Sequence, residues 1–160
     1  MRGGALPPAL LCAALGFALA YAPRRLAVAA FAVLVGVSLG ASFIVFDPAW
    51  ADALFLGCWA GVVLSVASIY LPDGYGARLA IPLAVNAGFW SGAVVAVSGT
   101  RTDLALALPA ALICLPAGWL VGGRGALVVK VAASWLVAVA ILAAAVPVTP
   151  TPGYAPDHME

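Results

Sequence analysis

The stretch ALVVKVAASWLVAVAILAAAV, residues 126–146, decides the fold class of this chain. It holds a single charged residue, Lys130, among aliphatic, small and aromatic side chains. A helix needs about 20 predominantly apolar residues to cross the hydrocarbon core of a bilayer. The stretch therefore predicts a transmembrane helix.

The composition of the whole chain agrees with that prediction. Hydrophobic residues make up 66% of the 160 residues, charged residues make up 8%, and the mean hydropathy is +1.16. A soluble domain carries roughly 25% charged residues, which cover its surface. The solvent of this protein is therefore predicted to be lipid. The net charge is +1 and the basic residues are scattered, so no nucleic-acid partner is expected.

Apolar segments recur along the chain between short polar or Gly/Pro-containing turns. Six of them are long enough to span a membrane: 5–22, 26–46, 53–71, 79–98, 104–121 and 126–146. The predicted fold is an all-α, polytopic membrane bundle of about six helices over residues 1–146. A Pro-rich tail, 147–160, follows it.

The basic residues predict how the bundle is oriented. One side collects five of them: Arg24, Arg25, Arg78, Arg124 and Lys130, whose long side chain can reach the nearby interface. The opposite side has only Arg2 and Arg101. Because Lys and Arg accumulate on the cytoplasmic side, the turns after helices 1, 3 and 5 are predicted to be cytoplasmic. Both termini would then face outward, with a bacterial inner membrane as the expected location.

Three consecutive helices carry pairs of glycines four residues apart. The pairs are Gly36 and Gly40, Gly57 and Gly61, and Gly88 and Gly92. In lipid, helices associate through close packing over small residues, since hydrocarbon provides no hydrophobic driving force. These glycines are predicted to pack helices 2, 3 and 4 together.

A few polar side chains fall within the predicted spans. Asn86 lies near the middle of the fourth span, and together with Ser42 and Ser65 it forms a candidate polar track for a solute or ion. The alternative is that Asn86 holds two helices together by a hydrogen bond, worth about 0.6–2 kcal/mol in a membrane.

No arrangement of residues typical of catalysis was found. The spans contain no histidine and no carboxylate, and the chain lacks an HExxH, a GxSxG and a glycine-rich phosphate loop. Cys12, Cys58 and Cys114 lie in apolar segments, where a free thiol acts as a small hydrophobic group. We therefore expect no catalytic residue, metal or cofactor.

The tail, PVTPTPGYAPDHME (147–160), differs sharply from the rest of the chain. Its prolines fix the backbone and favour an extended conformation suited to recognition by a partner. The candidate docking residues are Tyr154, Asp157, His158 and Glu160. A weak soft-metal site and a mobile terminus are the alternatives.

Two functions remain open on these observations. The first is a non-catalytic subunit or scaffold of a larger membrane complex, with other membrane subunits or further copies of the chain as partners. The second is a small-solute or ion transporter or channel that uses the polar track around Asn86.

Overall fold

A computed structural model describes residues 5–72 and 75–145, without the side chains of residues 75 and 101. All regular structure in these ranges is helical. Seven α-helices occur: α1 (Leu6–Leu19), α2 (Arg24–Ser42), α3 (Ala51–Ala67), α4 (Tyr75–Ser98), α5 (Arg101–Ala107), α6 (Cys114–Val121) and α7 (Ala126–Ala145). Short 3-10 segments flank α3 at Pro48–Trp50 and Ser68–Tyr70, and Leu108–Ile113 joins α5 to α6.

The all-α membrane bundle predicted from the sequence is confirmed. Five helical stretches among the described residues are long and apolar enough to cross a membrane: Arg24–Ser42, Pro48–Tyr70, Gly76–Ser98, Thr102–Val121 and Ala126–Ala145. The remaining helix, α1, has 14 residues. At 1.5 Å per residue it is about 21 Å long, against about 30 Å of hydrocarbon.

The short helix α1 occupies the centre of the bundle. It contacts α3, α4, α5, α6, α7 and the Leu108–Ile113 segment. Leu11, Cys12 and Leu15 are completely buried. A helix that is apolar on every side can be surrounded by other helices, and α1 meets this condition. Pro7 and Pro8 sit in its first turn, where the missing N–H groups break no helical hydrogen bond.

Helix α4 has α2 on one side and α3 on the other. Gly88 lies against Leu34 and Val37 of α2, and Gly92 lies against Ser38 and Ala41. Residue numbers rise together along both helices, so α2 and α4 run parallel. On the α3 side, Gly57 meets Trp90 and Gly61 meets Asn86. The numbers there run in opposite directions, so α3 and α4 are antiparallel.

The fifth predicted segment is divided into three pieces. The α-helix that begins at Arg101 gives way to a 3-10 segment at Leu108, and α-helix resumes at Cys114. Pro109 and Pro116 lie inside this stretch, where a proline removes an N–H and crowds the preceding turn. The 3-10 segment packs closely on α1. A Cβ atom added at Gly16 of α1 would lie only 2.7 Å from the carbonyl oxygen of Ala111.

Helix ends differ from the predicted spans by a few residues, and several helices begin earlier because they include charged residues. Arg24 and Arg25 open α2 instead of belonging to the preceding turn. Arg101 likewise opens α5, which Thr100 and Asp103 cap reciprocally. Helix α2 ends at Ser42, four residues before the predicted end of its span.

Candidate functional site between helices α3 and α4

Asn86 on α4 is a partly buried polar side chain that faces α3. The Trp90 indole N–H, one turn further along, donates to Asn86 Oδ1 at 3.1 Å. Because an indole nitrogen can only donate, the carbonyl oxygen of the amide must face Trp90. The amide nitrogen therefore points the other way, toward α3, where a side chain at Gly61 would begin 3.1 Å from it.

Two polar atoms in this region have no hydrogen-bond partner within the described ranges. They are Nδ2 of Asn86 and Oγ of Ser65, and both are shielded from solvent. Ser65 follows Gly61 by one helical turn, so it lies about 6 Å along the α3 axis from the level of Asn86. Leaving a buried polar group unsatisfied costs about 1–3 kcal/mol. Asn86 on α4 and Ser65 on α3 thus each carry a buried polar atom with unused hydrogen-bonding capacity.

Ser42 lies away from these two residues. Its hydroxyl donates to the carbonyl of Leu39 at 2.7 Å, within its own helix. The parallel register of α2 and α4 puts Ser42 level with residues 94–95 of α4, about 13 Å along the axis from Asn86. Ser65 therefore lies nearer than Ser42 to the level of Asn86 along the bundle axis.

The glycine pairs on α3 and α4 face neighbouring helices. The Trp90 ring fills the position where a side chain at Gly57 would begin. A Cβ atom added at Gly92 would overlap the carbonyl oxygen of Ser38 and would lie 2.6 Å from Ala41 Cβ. Gly61 and Gly88 also have close neighbours. These four glycines permit the close approach of backbone and bulky side chains across helix interfaces.

The glycine pair on α2 is placed differently. Gly36 and Gly40 are exposed, and a side chain added at either would meet no atom within 4 Å. The α2 face that packs on α4 carries Leu34, Val37 and Ser38 instead. Within the described part of this chain, the α2 pair packs no helix against another.

A lateral groove that could not be predicted from the sequence lies beside Asn86. It has a volume of about 380 Å³. Its lining includes Leu64, Ser68 and Leu71 from the α3 side, and Leu79, Leu83 and Asn86 from α4. Pro82 also borders it. A second hollow, of about 690 Å³, lies at the α6–α7 turn, beside Trp119 and Arg124.

Two of the three cysteines are completely buried. Cys12 Sγ and Ser91 Oγ are 4.0 Å apart, and Cys58 is also inaccessible. Cys114 is partly exposed at the start of α6. The described residues contain no group of three or more His, Cys, Asp or Glu side chains arranged to hold a metal.

Lys130 lies at the end of the bundle that carries Tyr21 and Tyr70. Its ammonium group is 5.6 Å from the centre of the Tyr70 ring, and the Tyr70 hydroxyl donates to the Lys130 carbonyl at 3.2 Å. The Tyr21 hydroxyl donates to the carbonyl of Ala126 at 3.5 Å. A cation over an aromatic face is attracted to the ring, so Lys130 has a favourable position here.

The candidate docking residues of the tail, Tyr154, Asp157, His158 and Glu160, lie outside the described residues. Comparison of the chain with protein-family models, curated proteins and solved structures gives no match.

Proposed function

We propose that the protein is a non-catalytic subunit of a larger membrane assembly. The observation that carries this proposal is the outward-facing glycine pair on α2. Gly36 and Gly40 have open space beyond their backbones, whereas the glycines of α3 and α4 have close neighbours.

Glycine is a costly choice at such positions unless something packs on it. It is about 1 kcal/mol less favourable than alanine in a helix interior. The cost at Gly57 or Gly92 is offset by close packing inside the chain, but Gly36 and Gly40 gain no such contact. A helix of another subunit, or of a second copy, would gain backbone contact along this face.

The surroundings of the pair suit a helix that packs closely. Leu39 and Phe43 are 47% and 64% exposed and lie near the glycines on α2. They would flank a shallow depression over the glycine backbone. Helix α2 is also bound mainly by α4 within its own chain, which leaves much of its surface for another helix.

The tail supplies a second proposed contact. Its Pro-rich sequence suits recognition by a partner, and the side chains Tyr154, Asp157, His158 and Glu160 would dock on that partner outside the membrane. Deletion of residues 147–160 should weaken the association without unfolding the bundle. If the truncated protein keeps every partner, the tail has no docking role.

Association through α2 is tested by purification in mild detergent. Gly36→Leu combined with Gly40→Leu should fill the depression and release partners or further copies. The control combines Ser134→Leu with Ala138→Leu, which has the same spacing on the exposed face of α7. If both double variants keep the composition of the wild-type assembly, the α2 face is not an interface.

We propose a bacterial inner membrane as the location, with both chain termini outward. The support is the concentration of Lys and Arg on the side that carries Arg24, Arg25, Arg78 and Arg124. In the structure, Tyr21 contacts the start of α7 and lies near Gly76 at the start of α4. The basic turns therefore gather at the same end of the bundle.

Transport is the second candidate, favoured by the unused polar atoms of Ser65 and Asn86. A transport pathway would use Ser65 and Asn86 only, since Ser42 lies away from them. Purified protein in liposomes should then pass a solute or ion, and Asn86→Leu should reduce the flux. A flux unchanged by Asn86→Leu would argue against any pathway at this residue.

A further inference from the structure

We propose that the hollow at the α6–α7 turn binds the headgroup of an anionic phospholipid. The Arg124 guanidinium would bind the phosphate, and the Trp119 ring would contact the glycerol and the upper part of the acyl chains. The hollow is separate from the glycine face of α2, so this proposal does not depend on the proposed assembly.

The end of the bundle that contains this turn is strongly basic. Tyr21, just after α1, contacts Ala126 at the start of α7 and lies near Gly76 at the start of α4. The basic residues of the adjoining helix ends and turns therefore gather here: Arg24, Arg25, Arg78, Arg124 and Lys130. One carboxylate of the sequence belongs to the turns at this end, Asp73, which lies outside the described residues.

The carboxylates of the described residues belong to the opposite end of the bundle. They precede or open α3 and α5, and they are Asp47, Asp52 and Asp103. The described ranges, 5–72 and 75–145, thus place no carboxylate beside Arg124. A negatively charged group from outside the chain is complementary to this end, and the nearest abundant source is the headgroup layer of the membrane.

The hollow presents the Arg124 side chain on a surface that is otherwise open. Its volume of about 690 Å³ falls within the roughly 300–1,000 Å³ of typical small-molecule sites. Gly122, Gly123 and Gly125 also line it, without side chains to fill it. Their N–H groups donate to carbonyl oxygens of the same turn at 3.0, 3.2 and 3.1 Å. The exposed guanidinium is therefore the charged group that can bind a phosphate, and its planar donors match phosphate oxygens in pairs.

Trp119 gives the hollow an apolar wall at the depth of the headgroups. Its side chain is 80% exposed and lines the hollow together with Leu120. It stands two residues before the end of α6 at Val121, about 3 Å along the helix axis. Tryptophan is enriched at this depth because its ring is partly polar and partly apolar. A cation beside an apolar wall suits a molecule that joins a phosphate to acyl chains.

The same features favour a lipid over a soluble anion. A single guanidinium on an exposed turn holds a free phosphate weakly, because water screens the charge. The acyl chains of a phospholipid keep its phosphate at the depth of the turn. A headgroup with a net negative charge is attracted by the basic residues around it, whereas the choline of a zwitterionic headgroup is not.

The proposal is tested by lipid titration of the full-length protein in micelles, followed by native mass spectrometry. The probes are dioleoylphosphatidylglycerol and dioleoylphosphatidylcholine, which share their acyl chains and differ in net charge. Arg124→Gln removes the cation. Gly123→Leu places a side chain in the hollow and keeps the charge, since a Cβ there would meet its nearest atom at 3.7 Å, an ordinary contact. Arg25→Gln, on the exposed start of α2, is the matched control for charge.

We expect phosphatidylglycerol to bind more tightly than phosphatidylcholine. Its Kd should rise about tenfold in Arg124→Gln, because a hydrogen bond to a charged group is lost. Gly123→Leu should weaken binding as well, and Arg25→Gln should leave it nearly unchanged. Equal binding of the two lipids, an unchanged Kd in Arg124→Gln, or an equal loss in Arg25→Gln would each overturn the proposal. Displacement of the lipid by excess inorganic phosphate would assign the site to a soluble anion instead. If Gly123→Leu does not fold, the comparison of the two arginine variants decides alone.

Discussion

The ring of Trp90 on α4 occupies the space in which a side chain at Gly57 of α3 would begin. A glycine on one helix thus creates the room for a tryptophan on the next, and the same tryptophan donates its N–H to Asn86. Packing and hydrogen bonding at the α3–α4 interface depend on each other through this one side chain.

Gly57→Ala should therefore destabilise the bundle. The added methyl group overlaps the Trp90 ring, and overpacking of this kind costs about 1–3 kcal/mol. Unfolding in mixed micelles, followed by tryptophan fluorescence, measures the change. Gly36→Ala is the matched control, since its methyl group meets open space and alanine favours the helix. Equal stability of the two variants would contradict the packing described at Gly57.

Gly92→Val should loosen α2 in particular. The backbone carbonyl of Ser38 occupies the position of the new side chain, and a backbone atom cannot move aside without shifting the whole helix. Because α2 relies on α4 for most of its contacts, we expect faster amide hydrogen exchange along α2. Exchange in α3 and α7 serves as the internal reference. Uniform acceleration throughout the bundle would show that α2 is not a separately opening element.

The hydrogen bond between Asn86 and Trp90 should appear as coupling in a double-mutant cycle. Trp90→Phe leaves the amide oxygen unpaired, and Asn86→Leu leaves the indole N–H unpaired. The double variant removes both groups and should be more stable than the sum of the single effects predicts. Coupling of about 0.5–1.5 kcal/mol is expected for an intramolecular hydrogen bond of this kind. Strictly additive effects would show that the bond contributes nothing to stability.

Orientation is predicted to follow the positive charges. In a cysteine-free background, Asp47→Cys should react with a membrane-impermeant maleimide in intact cells. Gly123→Cys, in the arginine-bearing turn before α7, should react only after the membrane is opened. The reverse pattern would place the termini in the cytoplasm.

Much of the fold could be predicted from apolar segment length. The stretches at 79–98 and 126–146 predict the helices that the structure places at Tyr75–Ser98 and Ala126–Ala145. The central position of α1 could not be predicted, because six segments of similar apolarity give no reason to choose one as the centre.

The outward placement of Gly36 and Gly40 could not be predicted from the sequence either. In a soluble helix a polar face shows which side meets water, but these helices are apolar on nearly every side. A glycine pair then indicates that packing is possible without showing which neighbour uses it. The contact between Asn86 and Gly61 could not be predicted for the same reason. The polarity of Asn86 did make it a candidate site residue.

The proposed assembly is tested most directly by photo-cross-linking in native membranes. Benzoylphenylalanine at Leu39, between the two glycines of α2, should give one discrete protein adduct. The same residue at Leu142, on the exposed face of α7, should give none of comparable yield. An adduct at position 39 that is lost with Gly36→Leu would identify the glycine face as the interface. If position 39 cross-links to no protein, or if both positions give the same adducts, the central claim is contradicted.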